Sequence, residues 1–270
     1  MIELKNLSGG GGAYVPVRNL NCKLNNGGVI GIVGDRDAGY DTLLALLSGA
    51  LLPQNGHAKL NGLDTVHDRA RVGALVGYLP RGYEPDESMT PLECLLFAAD
   101  AHDAVYERAL RRAEELLTLI GLAKKRTVVV ARLTYGERRM LAVAQTLMHA
   151  PAFLLLDAPF AGLTPNDAQR LCAWLAQLGE EITVLVGTHN PKELGTVPSR
   201  VMLMQRGALI DVCDLSAERS IASVCRDVLS PYAPVKETAP KKKKGLWQLL
   251  TASTKEIEVI DTDRREDTRK

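Results

Sequence analysis

Between Gly31 and Gly49 the chain reads GIVGDRDAGYDTLLALLSG. An apolar run, Val29 to Val33, meets glycines at Gly34 and Gly39, and an apolar segment with helical spacing starts at Leu43. Strand, glycine loop and helix in that order make an anion cradle, because loop N–H groups and the positive end of the helix point at one place. Such a loop holds phosphate best when a lysine and then a serine or threonine follow the second glycine, the first for outer phosphate oxygens and the second for magnesium. Those two places carry Tyr40 and Asp41. Further along, FLLLDAP ends an apolar run on Asp157, with Ala158 next, and VLVGTH ends another on His189.

The elements that must position these residues are short apolar strands separated by helices. MIEL, VIGIV, LVGYL, FLLLDA, ITVLVGT and RVMLMQ are the strand candidates. Buried strands alternating with helices imply an α/β core with a mostly parallel sheet. From Pro91 to Gly121 the apolar residues Leu95, Leu96, Ala99, Ala109, Leu110, Ala113, Leu116, Leu117 and Ile120 recur at spacings of three and four, a helical insert between core strands. Residues 1–229 therefore form the main domain, with a helical subdomain at about 85–150. Residues 230–245, with three prolines and four consecutive lysines, read as an exposed linker, and 246–270 as a tail with a short helix at LWQLL. The Lys241 to Lys244 run is either a solvated linker or an anchor on an anionic membrane surface.

Composition excludes several classes. The chain has 270 residues, 46% apolar and 24% charged, with a net charge of +1, so no nucleic-acid partner is expected. Five cysteines, at 22, 94, 172, 213 and 225, are odd in number and form no C-x-x-C pair, which argues against disulfides and structural zinc and for a reducing compartment. No run approaches about 18 continuous apolar residues, and MIELKNL at the start is a strand pattern, so a cytoplasmic location is expected.

Four segments in order, the loop at Gly34, RLTYGERRMLAVAQTLMHAP, FLLLDAPFAGLTP and VLVGTH, resemble the phosphate loop, signature helix, metal-binding strand with D-loop, and switch histidine of the ATP-binding subunit of ABC transporters. VGYLPRGYEPDESMTPLECLLFAA, including Thr90, Glu93 and Leu95, is similar to the segment that family carries between the first two. The resemblance covers roughly residues 1–220 and implies a P-loop NTPase-like ABC ATPase fold, with an N-terminal antiparallel β part and the helical subdomain. It implies ATP and magnesium as cofactors, a membrane permease as partner, a homodimer or a heterodimer with another ABC subunit, and a peripheral position on the inner face of the cell membrane.

The same resemblance assigns the site and shows where this chain departs from it. The phosphate loop is Gly34, Asp35, Arg36, Asp37, Ala38, Gly39, Tyr40, Asp41 and Thr42, and Tyr14 is the candidate for stacking on adenine. Arg81 stands where the family senses the outer phosphate, and Thr134, Tyr135 and Gly136 stand in the signature. Asp157 keeps the metal-proximal place, His189 the switch place, and Thr164 replaces the D-loop aspartate. Ala158 occupies the place of the catalytic glutamate and cannot accept a proton. Tyr40 removes a charge-assisted contact of about 1.5–3 kcal/mol. Asp41 sets a like charge beside the phosphates, at a cost of about 3 kcal/mol for a pair ~5 Å apart at an effective dielectric near 20. Together they weaken ATP by about a thousandfold or more. Asp41 is also a candidate magnesium ligand, with Arg36 as a substitute cation. Two readings follow, a degenerate subunit with a structural or regulatory role and a working ATPase with an atypical site. A third, a soluble interaction protein unrelated to transport, uses the same fold.

Overall fold

The computed structural model describes residues 1–10, 16–102, 104–216 and 219–228; Tyr14, the linker and the tail lie outside them. Along the chain come β1 (Ile2–Gly9), β2 (Val17–Leu24), β3 (Val29–Gly34), α1 (Tyr40–Leu47), β4 (Asn55–Leu60), β5 (Leu63–Asp64), α2 (Arg69–Leu75), β6 (Val76–Leu79), α3 (Pro91–Asp100) and α4 (Tyr106–Leu119). They are followed by α5 (Tyr135–Gln145), β7 (Phe153–Asp157), α6 (Pro165–Glu181), β8 (Thr183–Thr188), β9 (Arg200–Gln205), β10 (Ala208–Asp214) and α7 (Ile221–Val228).

The continuous apolar runs became the central sheet, ordered β10-β9-β3-β8-β7-β6. Its strands are parallel except β10, which pairs antiparallel to β9. β3, β7 and β8 are buried at every position, as a sheet covered on both faces requires. Alternate residues serve two cores. Ile30, Ile32, Leu155 and Leu185 pack with Leu43, Leu44 and Leu47 of α1 and with Ile2 and Leu4 of β1. Val33, Leu154, Leu156, Val184 and Val186 pack with Leu171 and Leu175 of α6 and with residues of α3, α4 and α5. A smaller antiparallel sheet, β2-β1-β4-β5, covers the first core. This is the α/β architecture expected, a mostly parallel core with an N-terminal antiparallel part.

The helical insert is two helices, α3 and α4, with α5 packed against both. α3 and α5 start at matching capping boxes, in which Thr90 with Glu93 and Thr134 with Glu137 satisfy the first free N–H groups reciprocally. Beside α5, His149 stacks on His102 with ring centroids 3.9 Å apart, and its Nε2 lies 3.1 Å from the Val76 carbonyl oxygen. Burial, with the second imidazole adding to it, holds His149 down to about 4 from an ordinary 6.5. Because the folded form takes the proton less readily than the unfolded chain, stability is full above pH 6.5 and lost as pH falls from 6.5 towards 4. Thermal melts between pH 7.5 and 4.5 are expected to show that slope, and His149→Asn to flatten it.

Register places the chemistry. Val33 pairs with Thr188, Asp157 with Gly187 and Leu79 with Leu156, so β3, β8, β7 and β6 end level with one another. The residues just beyond those ends, 34–42, 189, 157–158 and 81, must meet at the carboxyl edge of the sheet, where open parallel sheets place their ligand crevices.

Candidate functional site

The loop after β3 turns at Gly39, which holds φ 78° as the N-cap of α1. A β-carbon there would lie 2.3 Å from the Pro16 carbonyl oxygen, so only glycine fits. Ala38 is buried beneath the loop, while Asp35, Arg36 and Asp37 are exposed. Asp41 is exposed and its carboxylate accepts from the backbone N–H of Thr42 at 2.8 Å.

Tyr40, the first residue of α1, does not point outward. It is 1% exposed, with its ring on the backbone of Gly187 in β8. A β-carbon at Gly187 would stand 2.4 Å from that ring, so the glycine makes the room the tyrosine fills. The phenol oxygen reaches the strand-end residues. It accepts from the Arg81 guanidinium at 2.5 Å and donates to His189 Nε2 at 3.0 Å. Arg81 in turn donates to Asp157 Oδ1 at 3.2 Å and to His189 Nε2 at 3.2 Å. On the far side of the imidazole, Nδ1 faces the carbonyl oxygens of Gly34 and Asp35 at 3.3 and 3.2 Å. Carbonyls only accept, so Nδ1 carries the hydrogen and Nε2 is the acceptor for phenol and guanidinium. The four side chains and the loop backbone thus form one connected network.

Its electrostatics follow from burial. The Asp157 side chain is 5% exposed and Arg81's is 46% exposed. Burial pushes the Asp157 carboxyl above its ordinary range against the pull of Arg81. For Arg81 burial opposes the charge, but Asp157, Tyr40 and Asp41 together outweigh it, and the guanidinium sits above its ordinary value. Burial likewise raises the Tyr40 phenol and keeps it protonated. A buried carboxylate needs a positive partner, and Arg81 supplies it. Among the described residues no group of three or more His, Cys, Asp or Glu gathers to hold a metal ion. Tyr40→Phe keeps the ring and removes two hydrogen bonds, one of them to a cation. It is expected to cost about 1–2 kcal/mol, read as a lowered urea midpoint.

Ala158 follows Asp157 at φ 47°, with its N–H on the Gly187 carbonyl at 2.9 Å, and presents only a methyl group to the site. Thr134, Tyr135 and Gly136 bond elsewhere. Thr134 spends its hydroxyl on the α5 cap. The Tyr135 hydroxyl donates to the Ala161 carbonyl at 3.0 Å with its ring over Gly162, and Gly136 faces the Asp167 carboxyl. Thr164 caps α6 and donates to that same Asp167 carboxylate at 2.7 Å. The network at the sheet edge therefore joins Tyr40, Arg81, Asp157 and His189, whereas Tyr135 meets Ala161 and Gly162, Gly136 meets Asp167, and Thr134 stays with Glu137 of its own cap.

Sequence reasoning missed Arg139. It is 2% exposed, and its guanidinium donates to the carbonyls of Pro159 at 3.1 Å, Ala158 at 3.0 Å, Asp157 at 3.4 Å and Tyr83 at 3.3 Å. The available signal was a charge whose helical neighbours Gly136 and Val143 lie on the buried face.

A family model described as ABC transporter matches residues 17–161. The chain is 29% identical over 213 residues to the sulfate/thiosulfate import ATP-binding protein CysA of Gloeobacter violaceus, over 78% of this chain and 62% of that one. It is 31% identical over 218 residues to the CysA of Bradyrhizobium diazoefficiens, over 77% and 62%. With methionine import ATP-binding protein MetN 2 of Burkholderia pseudomallei the figures are 27% over 206 residues, 74% and 52%. The chain thus spans less than two thirds of each of these relatives. Among solved structures, a nucleotide-free ATP-binding cassette from an ABC transporter superposes with a TM-score of 0.73 at 20% identity, over 86% of this chain and 98% of that one. A dimeric cassette bound to ADP and Pi gives 0.70 at 21% identity, over 80% and 100%. These likenesses show the fold.

Proposed function

The chain belongs to the ABC transporter family as a nucleotide-binding domain, and from that premise we propose that it is a degenerate ATP-binding-type subunit, a pseudo-ATPase with a structural or regulatory role in a membrane transport complex. The observation that carries this reading is the network of Tyr40, Arg81, Asp157 and His189. Members of the family bind ATP, but the residues at these strand ends do not fit Mg-ATP. The lysine place holds a buried phenol, the metal-proximal carboxylate is neutralised from within, and the neighbouring side chain is a methyl group. Asp41 adds negative charge at the start of α1, where phosphate would bring more.

The domain boundaries proposed are residues 1–229 for the cassette, about 85–150 for its helical subdomain, 230–245 for the linker and 246–270 for the tail. The partners proposed are a membrane permease and a second cassette, either a copy of this chain or an intact ABC subunit. Transport names among the relatives, sulfate/thiosulfate and methionine import, support an import system. Among the described residues no helix is long and apolar enough to cross a membrane, in keeping with a peripheral subunit on the inner face. Phosphate release from Mg-ATP by the purified full chain tests the reading. The expected rate is that of the protein-free control, and turnover would instead favour an active site built on Asp41 and Arg36.

A further inference from the structure

We propose that His102 and His149 form a proton-gated clasp: their stacked rings pin the end of α3 to the segment beside β6, and a second proton on the pair releases it. The inference is independent of the reading above, because neither residue belongs to the strand-end network.

The segment between α5 and β7 runs against β6, the outermost strand of the central sheet. The Thr146 carbonyl oxygen would stand 2.3 Å from a β-carbon at Gly77, and the Ala152 N–H bonds the Leu75 carbonyl at 2.9 Å. His149 Nε2 adds the contact to the Val76 carbonyl, so the strand backbone holds this segment in place. The end of α3 is held less firmly. Every described residue from Asp100 to Val105 is exposed, and the N–H groups of His102 and Ala104 both turn back to the Ala99 carbonyl, at 3.0 and 3.4 Å. Apolar burial therefore does little for it. What reaches across is the His102 ring, stacked on that of His149 with centroids 3.9 Å and planes 12° apart.

The acceptor fixes the tautomer. A carbonyl only accepts, so His149 Nε2 carries the hydrogen and any further proton must enter at Nδ1. Among the described residues Nδ1 meets no hydrogen-bond partner, and the one charged or titratable group that acts on the ring is His102. β6 presents only the Val76 carbonyl, and on α3 the carboxylate of Asp100, two positions before His102, is exposed to water. The stack can thus hold one positive charge, but two imidazolium rings at this spacing repel, in a half-buried place that water screens poorly. Burial and the second imidazole are what hold His149 down. A ring that resists protonation in the closed form accepts the proton more readily in the open one, so acid favours opening. The sheet stays folded while the end of α3 comes free.

The test is amide hydrogen exchange on the full chain, corrected for the intrinsic effect of pH and read at His102 and Ala104, with Leu156 in β7 as the control for global unfolding. Between pH 7 and 4.5 the open fraction at His102 and Ala104 is expected to rise at least tenfold while Leu156 stays protected. His149→Gln keeps a donor for the Val76 carbonyl and cannot take the proton, so its exchange should lose that pH dependence. His102→Phe keeps a ring on His149 without the charge, and its opening should need a pH at least one unit lower than in the parent. It also serves should His149→Gln fail to fold. An open fraction in the parent that does not change with pH overturns the clasp, as does a His102→Phe chain that opens at the parent's pH.

Discussion

Tyr40→Lys, Asp41→Ser and Arg81→Gln combined in one chain are expected to tighten Mg-ATP binding about a thousandfold. The lysine restores a charge-assisted contact of about 1.5–3 kcal/mol, and loss of the Asp41 carboxylate removes a like-charge cost of about 3 kcal/mol. Each ~1.4 kcal/mol is a factor of ten. Arg81→Gln belongs in the set because a guanidinium on Asp157 competes with magnesium for the same carboxylate. Without it, Tyr40→Lys and Asp41→Ser are expected to fall short of that gain. Adding Ala158→Glu should then bring turnover without a further gain in affinity. The backbone at Ala158 already carries a β-carbon at φ 47°, so a glutamate brings no new strain of that kind. Calorimetric titration of the variants in parallel measures the gain, and a triple variant no tighter than the parent would show that the loop backbone itself has ceased to receive phosphate.

Arg139→Ala is expected to cost about 3–5 kcal/mol. The guanidinium is 2% exposed and serves four backbone carbonyls around the end of β7 and the start of the helical linker. Removing it strands buried acceptors, each at roughly 1–3 kcal/mol, and leaves a cavity. For a domain of this size that is a fall of about 6–20 °C in melting temperature. Arg139→Lys should recover less than half, because one ammonium cannot span the fork of acceptors that the planar guanidinium reaches. A thermal melt of both variants checks the order, and an Arg139→Ala chain within about 2 °C of the parent would contradict the assignment.

The parts of the fold legible in the sequence were those whose pattern is local. VIGIV, FLLLD and TVLVGT are buried on both faces and therefore uninterrupted, which is why the parallel core was readable. β2 and β10 were not, because they are covered on one face and carry register shifts that break the alternation. At the site, the substitutions at Tyr40, Arg81 and Ala158 were visible as departures from a motif. Where their side chains go was not, since that is decided by distant partners. The phenol turns inward because Gly187 leaves room for a ring, and Arg81 finds its carboxylate 76 positions away. Thr134 and Gly136 could be placed in a signature-like segment, but the sequence did not show that the hydroxyl is spent on its own helix cap and that the glycine faces Asp167. Nor did it show that the Tyr135 hydroxyl bonds the segment that follows Asp157 and Ala158.

The central claim is that this chain closes its phosphate site with its own side chains. Isothermal titration of the full-length parent chain with Mg-ATP tests it most directly: a dissociation constant in the millimolar range or weaker is the result predicted, and micromolar binding would contradict it.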